Sequence, residues 1–194
     1  IRAQSLQTNY ANVNKGSYVN SSLSGGGPLQ DLGAHLVDLA CWLSGFERTE
    51  SVSGNTFNNL IKQTNQSKKN TKKTVDVEDL FVGKVKFKNN CILSIETSFI
   101  LNAPQDMMKL ELYGDKGSLI WPDLIYTTRT KKGIQSMKLK VKNAVPASIG
   151  ELSEFVESIR HSKTPTVSPQ ESLEVTKIIE NLYRSASQDK TIYF

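Results

Sequence analysis

Three glycines in succession, Gly25, Gly26 and Gly27, run into Pro28, and from there apolar side chains recur at Leu29, Leu32, Leu36, Leu39, Ala40 and Leu43 as far as Gly45. Proline suits the first position of a helix, where its missing N–H would have had no partner, and glycine suits the left-handed residue that ends one. The spacing predicts a helix over residues 29–44 that turns one stripe into a core. The glycines ahead of it fit a hinge or a close approach of backbone to a neighbour. A phosphate cradle fits less well: the run lacks the G-x-G-x-x-G spacing, no strand leads directly into it, and Pro28 removes one amide.

Around that helix the period changes. Residues 1–9 alternate as a strand, and 10–24 are rich in Asn, Ser and Gly, hence a loop. Strand patterns follow at 51–58, 80–87, 92–101, 108–113, 118–121, 124–129 and 136–141. Lys88, Asn89 and Asn90 make a tight turn, and the lysine- and asparagine-rich residues 62–74 make a mobile hairpin loop. Helical spacing returns at Ile149, Leu152, Phe155, Val156 and Ile159 and stops before Pro165. It resumes after Ser168 and Pro169 with Leu173, Val175, Ile178, Ile179, Leu182 and Tyr183, and residues 191–194 form a closing strand.

Strands that follow one another through hairpins pair antiparallel, and the helices before and after them gather on one side. The expected class is α+β: a mostly antiparallel open sheet with helices on one face, forming a single domain over residues 1–194. No alternation of strand and helix suggests a doubly wound (Rossmann) nucleotide fold. A sheet covered on one face needs a partner on the other, and Val82, Val85, Phe87, Ile92, Leu93 and Ile95 offer a pairing surface, so a homo-oligomer is expected.

The net charge of +5 raises the possibility of a nucleic-acid partner. Its excess lies in Lys62, Lys68, Lys69, Lys72 and Lys73 and in the stretch from Arg129 through Lys131, Lys132, Lys138, Lys140 and Lys142, without stacking aromatics between. Solvated loops and strand faces explain these better than a groove-binding surface does. No apolar run approaches the roughly 20 residues of a membrane helix, and no leader precedes Ile1, so the cytoplasm is the expected location. Ile1 is not a methionine, and the opening strand suggests a piece of something longer. Cys41 and Cys91 sit among apolar residues as buried thiols do, so neither a disulfide nor a metal site is expected.

On the predicted helix, Asp31, His35, Asp38 and Trp42 fall at spacings of four, three and four, a line separate from the leucine stripe. Ionisable groups beside a core are costly unless they pair or meet a ligand. Either they bond to one another and to backbone, or they line a cleft. In the second case His35 is a general base, since an imidazole ordinarily titrates near about 6.5, and Asp31 orients it or accepts a bond from a substrate hydroxyl. His161, beside Arg160 at a helix end, reads as surface structure. No hydroxyl has a base at a telling spacing, and no nucleophile elbow is present.

The segment GGGPLQDLGAHLVDLACWLSG resembles the hallmark of the glucose-fructose oxidoreductase, inositol dehydrogenase and rhizopine catabolism family, a glycine run, then Asp, His and Asp, then a closing glycine. Gly25, Gly26, Gly27, Asp31, Gly33, His35, Asp38 and Gly45 match it. VEDLFVGKVKFKNNCILSIETS, LELYGDKGSLIW and PQESLEVTKIIENLYRSASQDKTIYF are similar to later parts of the family's C-terminal domain. The turn at Asn90 and Cys91 departs from the family's usual glycine and small residue, with no bearing on chemistry.

The resemblance implies the substrate-binding and catalytic half of an NAD- or NADP-dependent oxidoreductase acting on a sugar, nucleotide sugar or cyclitol. It implies His35 and Asp31 as catalytic residues, Asp31 also holding substrate, and Tyr10 and Asn12 lining the substrate cleft. Asp38 is as easily a packing or capping residue. The cofactor would be held by an upstream domain of roughly 120 to 150 residues, with no cofactor-binding residue here. Residues 1–194 alone are then expected to be inactive. The alternative is a non-catalytic sugar-sensing or assembly module of the same fold.

Overall fold

The computed structural model describes residues 1–8, 17–60, 75–141 and 145–194. The first strand, β1 (Arg2–Leu6), lies in the middle of the sheet rather than at its edge. It pairs parallel with β4 (Ile92–Ser98) and antiparallel with β5 (Met107–Tyr113). β2 (Thr49–Phe57) and β3 (Leu80–Phe87) extend the sheet on the β4 side, ending in β9 (Ile192–Tyr193). On the β5 side come β6 (Ser118–Trp121), β7 (Ile125–Thr130) and β8 (Gly133–Lys138), giving the order β8-β7-β6-β5-β1-β4-β3-β2-β9. Every neighbouring pair except β1 with β4 is antiparallel, so the open α+β sheet expected from the hairpin pattern is what forms.

Side-chain alternation sorts the sheet into two faces. Ala3, Phe81, Val85, Phe87, Leu93, Ile95 and Leu110 point inward with Leu29, Leu36, Val37, Ala40, Cys41, Val175, Ile178, Ile179 and Leu182 in one core. The helical partners are α2 (Ala34–Ser44) and α4 (Pro169–Gln188), the latter opened by a capping box between Ser168 and Glu171 with Pro169 in its first turn. This corrects the expected pairing surface. Val85, Phe87, Leu93 and Ile95 are core residues, while Val82 and Ile92 alone of that set stand on the open face. The six lie on two adjacent strands, and period 2 forces half of each strand's run inward. The open face mixes polar pairs with further apolar side chains: Gln4 bonds Glu96 at 2.9 Å and Arg2 meets Glu111 at 3.3 Å, while the registers put Met107, Tyr113, Ile120 and Ile125 on the same side.

Local chemistry moves several boundaries. β4 ends at Ser98 rather than 101, because the Ser98 hydroxyl donates to the Asp79 carbonyl at 2.8 Å and accepts the Ile100 amide at 3.1 Å, turning the chain. The β7–β8 hairpin turns at Gly133, whose φ of 106° only glycine adopts readily, so β8 starts there and not at 136. The expected loop over 10–24 holds a helical turn, α1 (Ser21–Ser24), with the Asn20 side chain accepting the Ser22 amide and Asp76 accepting the Ser21 amide at 2.7 Å. The Asp76 carboxyl is held below the usual range by those Ser21 bonds, backbone first. Residues 62–74, read as a mobile hairpin loop, lie outside the described residues.

The penultimate helix, α3 (Ala147–Arg160), forms where its periodicity predicts and ends at His161. His161 meets Glu157 at 2.9 Å, the surface role expected of it.

Candidate active site

The helix after the triple glycine does not begin as an ordinary α-helix. Leu29–Gly33 make a π turn, and regular α-helix continues from Ala34. Single π turns recur at functional positions, and the wider turn rotates the helical residues beyond it. The buried face accordingly departs from the expected leucine stripe: Leu29, Leu36, Val37, Ala40 and Cys41 are sealed, whereas Leu39 and Leu43 are partly buried at its rim. Leu32 leans instead on a small separate cluster of Val19 and Phe99.

A buried carboxylate holds this helix start. Glu78 is only 8% exposed, and its Oε2 accepts the Gly27 amide at 2.9 Å while Oε1 accepts the Leu29 amide at 3.1 Å. The Tyr183 hydroxyl donates to Oε1 at 2.7 Å and accepts the Gln30 amide at 3.1 Å. With Pro28 contributing no N–H, one carboxylate and one phenol satisfy the first amides of the turn, where a negative charge also suits the helix dipole. Burial first, and the adjoining Glu78 second, push the Tyr183 hydroxyl's pKa far above its usual value, so it stays a donor.

Gly25 caps the preceding helical turn at φ 78°, and Gly26 and Gly27 are close-approach positions. A methyl group on Gly26 would overlap the Tyr183 hydroxyl, and one on Gly27 would overlap the Glu78 backbone carbonyl. Gly27→Ala is expected to destabilise the fold by about 1–3 kcal/mol, read as a lower denaturant midpoint with unchanged slope. Nothing in the local sequence announced Glu78 or Tyr183; the signal was indirect, two glycines following the one that caps a helical turn.

From this anchored start, Asp31 and His35 project away from the core. His35 is exposed and Asp31 half-buried, and among the described residues neither side chain takes part in a hydrogen bond. Asp38 is half-buried, and its carboxyl pKa is raised, by burial first and by Glu171 second, with His35 pulling it back down. Trp42, at the far end of the line, is half exposed. His35 lies near enough to Asp38 to act on its carboxyl, Asp31 stands in the π turn ahead of them, and Tyr10 and Asn12 lie outside the described residues. Cys41, buried one turn beyond Asp38, is pushed up to about 12 by burial and by Asp38, so it remains an inert thiol.

The raised Asp38 pKa carries a signed prediction. Its ionised form is penalised in the folded state, so the penalty is absent below the ordinary carboxylate pKa and complete above the raised one. Asp38→Asn is expected to raise the melting temperature at neutral pH, with the gain shrinking to nothing as the pH falls through the carboxylate range.

Two sizeable cavities open elsewhere. One of about 490 Å³ is bordered by Gly25, Gly26, Asp76, Glu78, Tyr183 and Arg184. The other, of about 430 Å³, lies between Cys41, Arg48, Glu174 and Phe194. Neither is lined by Asp31 or His35.

An antiparallel sheet backed on one side by helices, one of them anchored at its start and bearing Asp31 and His35, defines an α+β domain. Residues 5–194 match the model of the oxidoreductase family's C-terminal alpha/beta domain. The chain belongs to that family. It is 29% identical over 175 residues to D-glucoside 3-dehydrogenase of Escherichia coli (strain K12), a stretch that is 88% of this chain and 50% of that protein. It superposes with a TM-score of 0.80, at 18% identity, on a levoglucosan dehydrogenase in complex with NADH, covering 99% of this chain and 57% of that one. An aldose-aldose oxidoreductase from Caulobacter crescentus complexed with glycerol matches with a TM-score of 0.75 at 18% identity, over 100% of this chain and 55% of that one. The chain thus spans about half the length of the relatives it matches.

Proposed function

We propose that residues 1–194 are the substrate-binding and catalytic half of an NAD- or NADP-dependent oxidoreductase that acts on a hydroxyl of a sugar, nucleotide sugar or cyclitol. The observation that carries this reading is the His35 imidazole, exposed and without a hydrogen bond among the described residues, a turn beyond the Asp31 carboxylate on a helix whose start is fixed by Glu78. Such a base has no evident structural employment, and the family is one of oxidoreductases.

His35 takes the proton of the substrate hydroxyl, and Asp31 accepts a hydrogen bond from a neighbouring hydroxyl to set the sugar's orientation. The positive charge gained by His35 is offset by Asp38, whose coupling to the imidazole is attractive. A bound nicotinamide would supply the hydride-accepting chemistry, while His35 handles the proton of the same alcohol. The described residues fit the proton-handling end of this reaction and not the pyrophosphate end, since the amides of Gly27 and Leu29, the natural anion donors, are taken by Glu78. The dinucleotide is therefore assigned to a separate upstream domain, with residues 1–194 as one substrate domain. The open face of the sheet, with Val82, Ile92, Met107 and Tyr113, pairs with a second copy, and the parent enzyme works in the cytoplasm. Among the described residues no helix is long and apolar enough to cross a membrane.

Titrating NADH into residues 1–194 alone is expected to give no binding and no turnover, while the intact polypeptide binds it and oxidises a sugar. Micromolar binding by residues 1–194 would overturn the assignment of the cofactor to another domain.

A further inference from the structure

Helix α3 (Ala147–Arg160) is amphipathic with its apolar side facing out. Ile149 is 54% exposed, Leu152 67%, Phe155 59%, Val156 42% and Ile159 64%, and Val145 just ahead of the helix is 62% exposed. These residues recur at intervals of three and four, so they form one stripe along the helix. On the other side, Glu154 Oε1 accepts the Thr166 amide at 2.7 Å and the Ser158 hydroxyl at 3.2 Å, and Ser158 is buried. The helix shows its apolar edge to water, an arrangement that costs free energy unless something covers it.

Three occupants are conceivable. The two longer segments outside the described residues, 9–16 and 61–74, read NYANVNKG and IKQTNQSKKNTKKT, too polar to seal such a stripe. A second copy would have little to grip: a 14-residue helix is about 21 Å long, and one stripe of it falls well short of the roughly 800 Å² per partner of a stable dimer. A domain of the same polypeptide needs no such area, because tethering supplies the effective concentration. The relatives contain that extra length: the levoglucosan dehydrogenase superposes over 99% of this chain, the α3 region included, yet only 57% of that protein is accounted for.

We infer that the stripe Ile149, Leu152, Phe155, Val156 and Ile159 is the docking surface for the cofactor-binding half of the same polypeptide, so that α3 joins the two halves of the enzyme. This rests on the proposal that such a half precedes Ile1.

The test is photo-crosslinking in the intact polypeptide, with Phe155 replaced by p-benzoyl-L-phenylalanine, followed by peptide mapping, and with sugar-dependent NADH formation measured on the same sample. The expected result is a product of monomer mass with the cross-link to residues upstream of Ile1. It should be lost when Ile149 and Ile159 are both changed to Gln. A dimer-mass product, a cross-link within residues 1–194, or no cross-link would overturn the docking inference. If activity persists in those cases, the inference fails while the dehydrogenase reading stands; absence of activity in the unlabelled intact protein sinks that reading instead.

Discussion

Replacing His35 by asparagine in the intact enzyme is expected to lower kcat by roughly two to four orders of magnitude and to leave the melting temperature almost where it was. The two halves of this expectation come from the same observation. His35 is exposed and its side chain makes no hydrogen bond among the described residues, so its removal costs the fold about as little as an ordinary surface change, within roughly 0.5 kcal/mol. Asparagine has similar reach but cannot take a proton, so proton abstraction falls to water. Without the imidazole, Asp38 also loses the attraction that lowers its pKa. Steady-state NADH formation and a thermal melt on the same preparation check both parts. Turnover within tenfold of the parent would remove His35 from the chemistry, and a melt lowered by many degrees would make it a structural residue. Asp31→Asn separates the roles further: a substrate-orienting carboxylate shows mainly in KM, whereas loss in kcat alone assigns it to the transition state.

How much of this could be read from the chain depended on the range of the interaction. The helix over 29–44 is marked by Pro28 and Gly45, both acting on their immediate neighbours, and the β3–β4 hairpin by Lys88, Asn89 and Asn90, the last in a left-handed conformation at φ 66°. The line of Asp31, His35 and Asp38 needs only helical spacing. What stayed hidden is set by residues far apart in sequence. β1 is central because it pairs with β4, Arg2 opposite Ser94, and no local pattern encodes that. Alternation separates Val82 and Ile92 from Val85, Phe87, Leu93 and Ile95, but only the placement of α2 and α4 decides which set is buried. The periodicity of Ile149 to Ile159 announced an apolar face without saying that its own domain leaves it uncovered.

Glu78 is the sharpest case of a long-range determinant, and its removal is expected to be the most damaging single change to the fold. Three donors converge on its carboxylate: the Gly27 amide, the Leu29 amide and the Tyr183 hydroxyl. Glu78→Ala strands all three at a site 8% exposed. An unpaired buried donor costs about 1–3 kcal/mol, and entering water relieves part of it, so a loss of about 3–5 kcal/mol is expected. For a domain of this size that corresponds to a melting temperature lower by roughly 6–20 °C. Tyr183→Phe should cost about 1 kcal/mol, because the Gln30 amide it releases lies at an exposed residue and can turn to water. The two residues touch, so the double variant should be less destabilised than the sum of the singles, by about 0.5–3 kcal/mol of coupling. Turnover is expected to fall with stability in Glu78→Ala, even at temperatures where the protein is folded, because Asp31 and His35 stand on the first turns of the helix that Glu78 fixes. A melt within a degree of the parent, or strict additivity in the cycle, would show that the glycine run and not the carboxylate holds the helix in place.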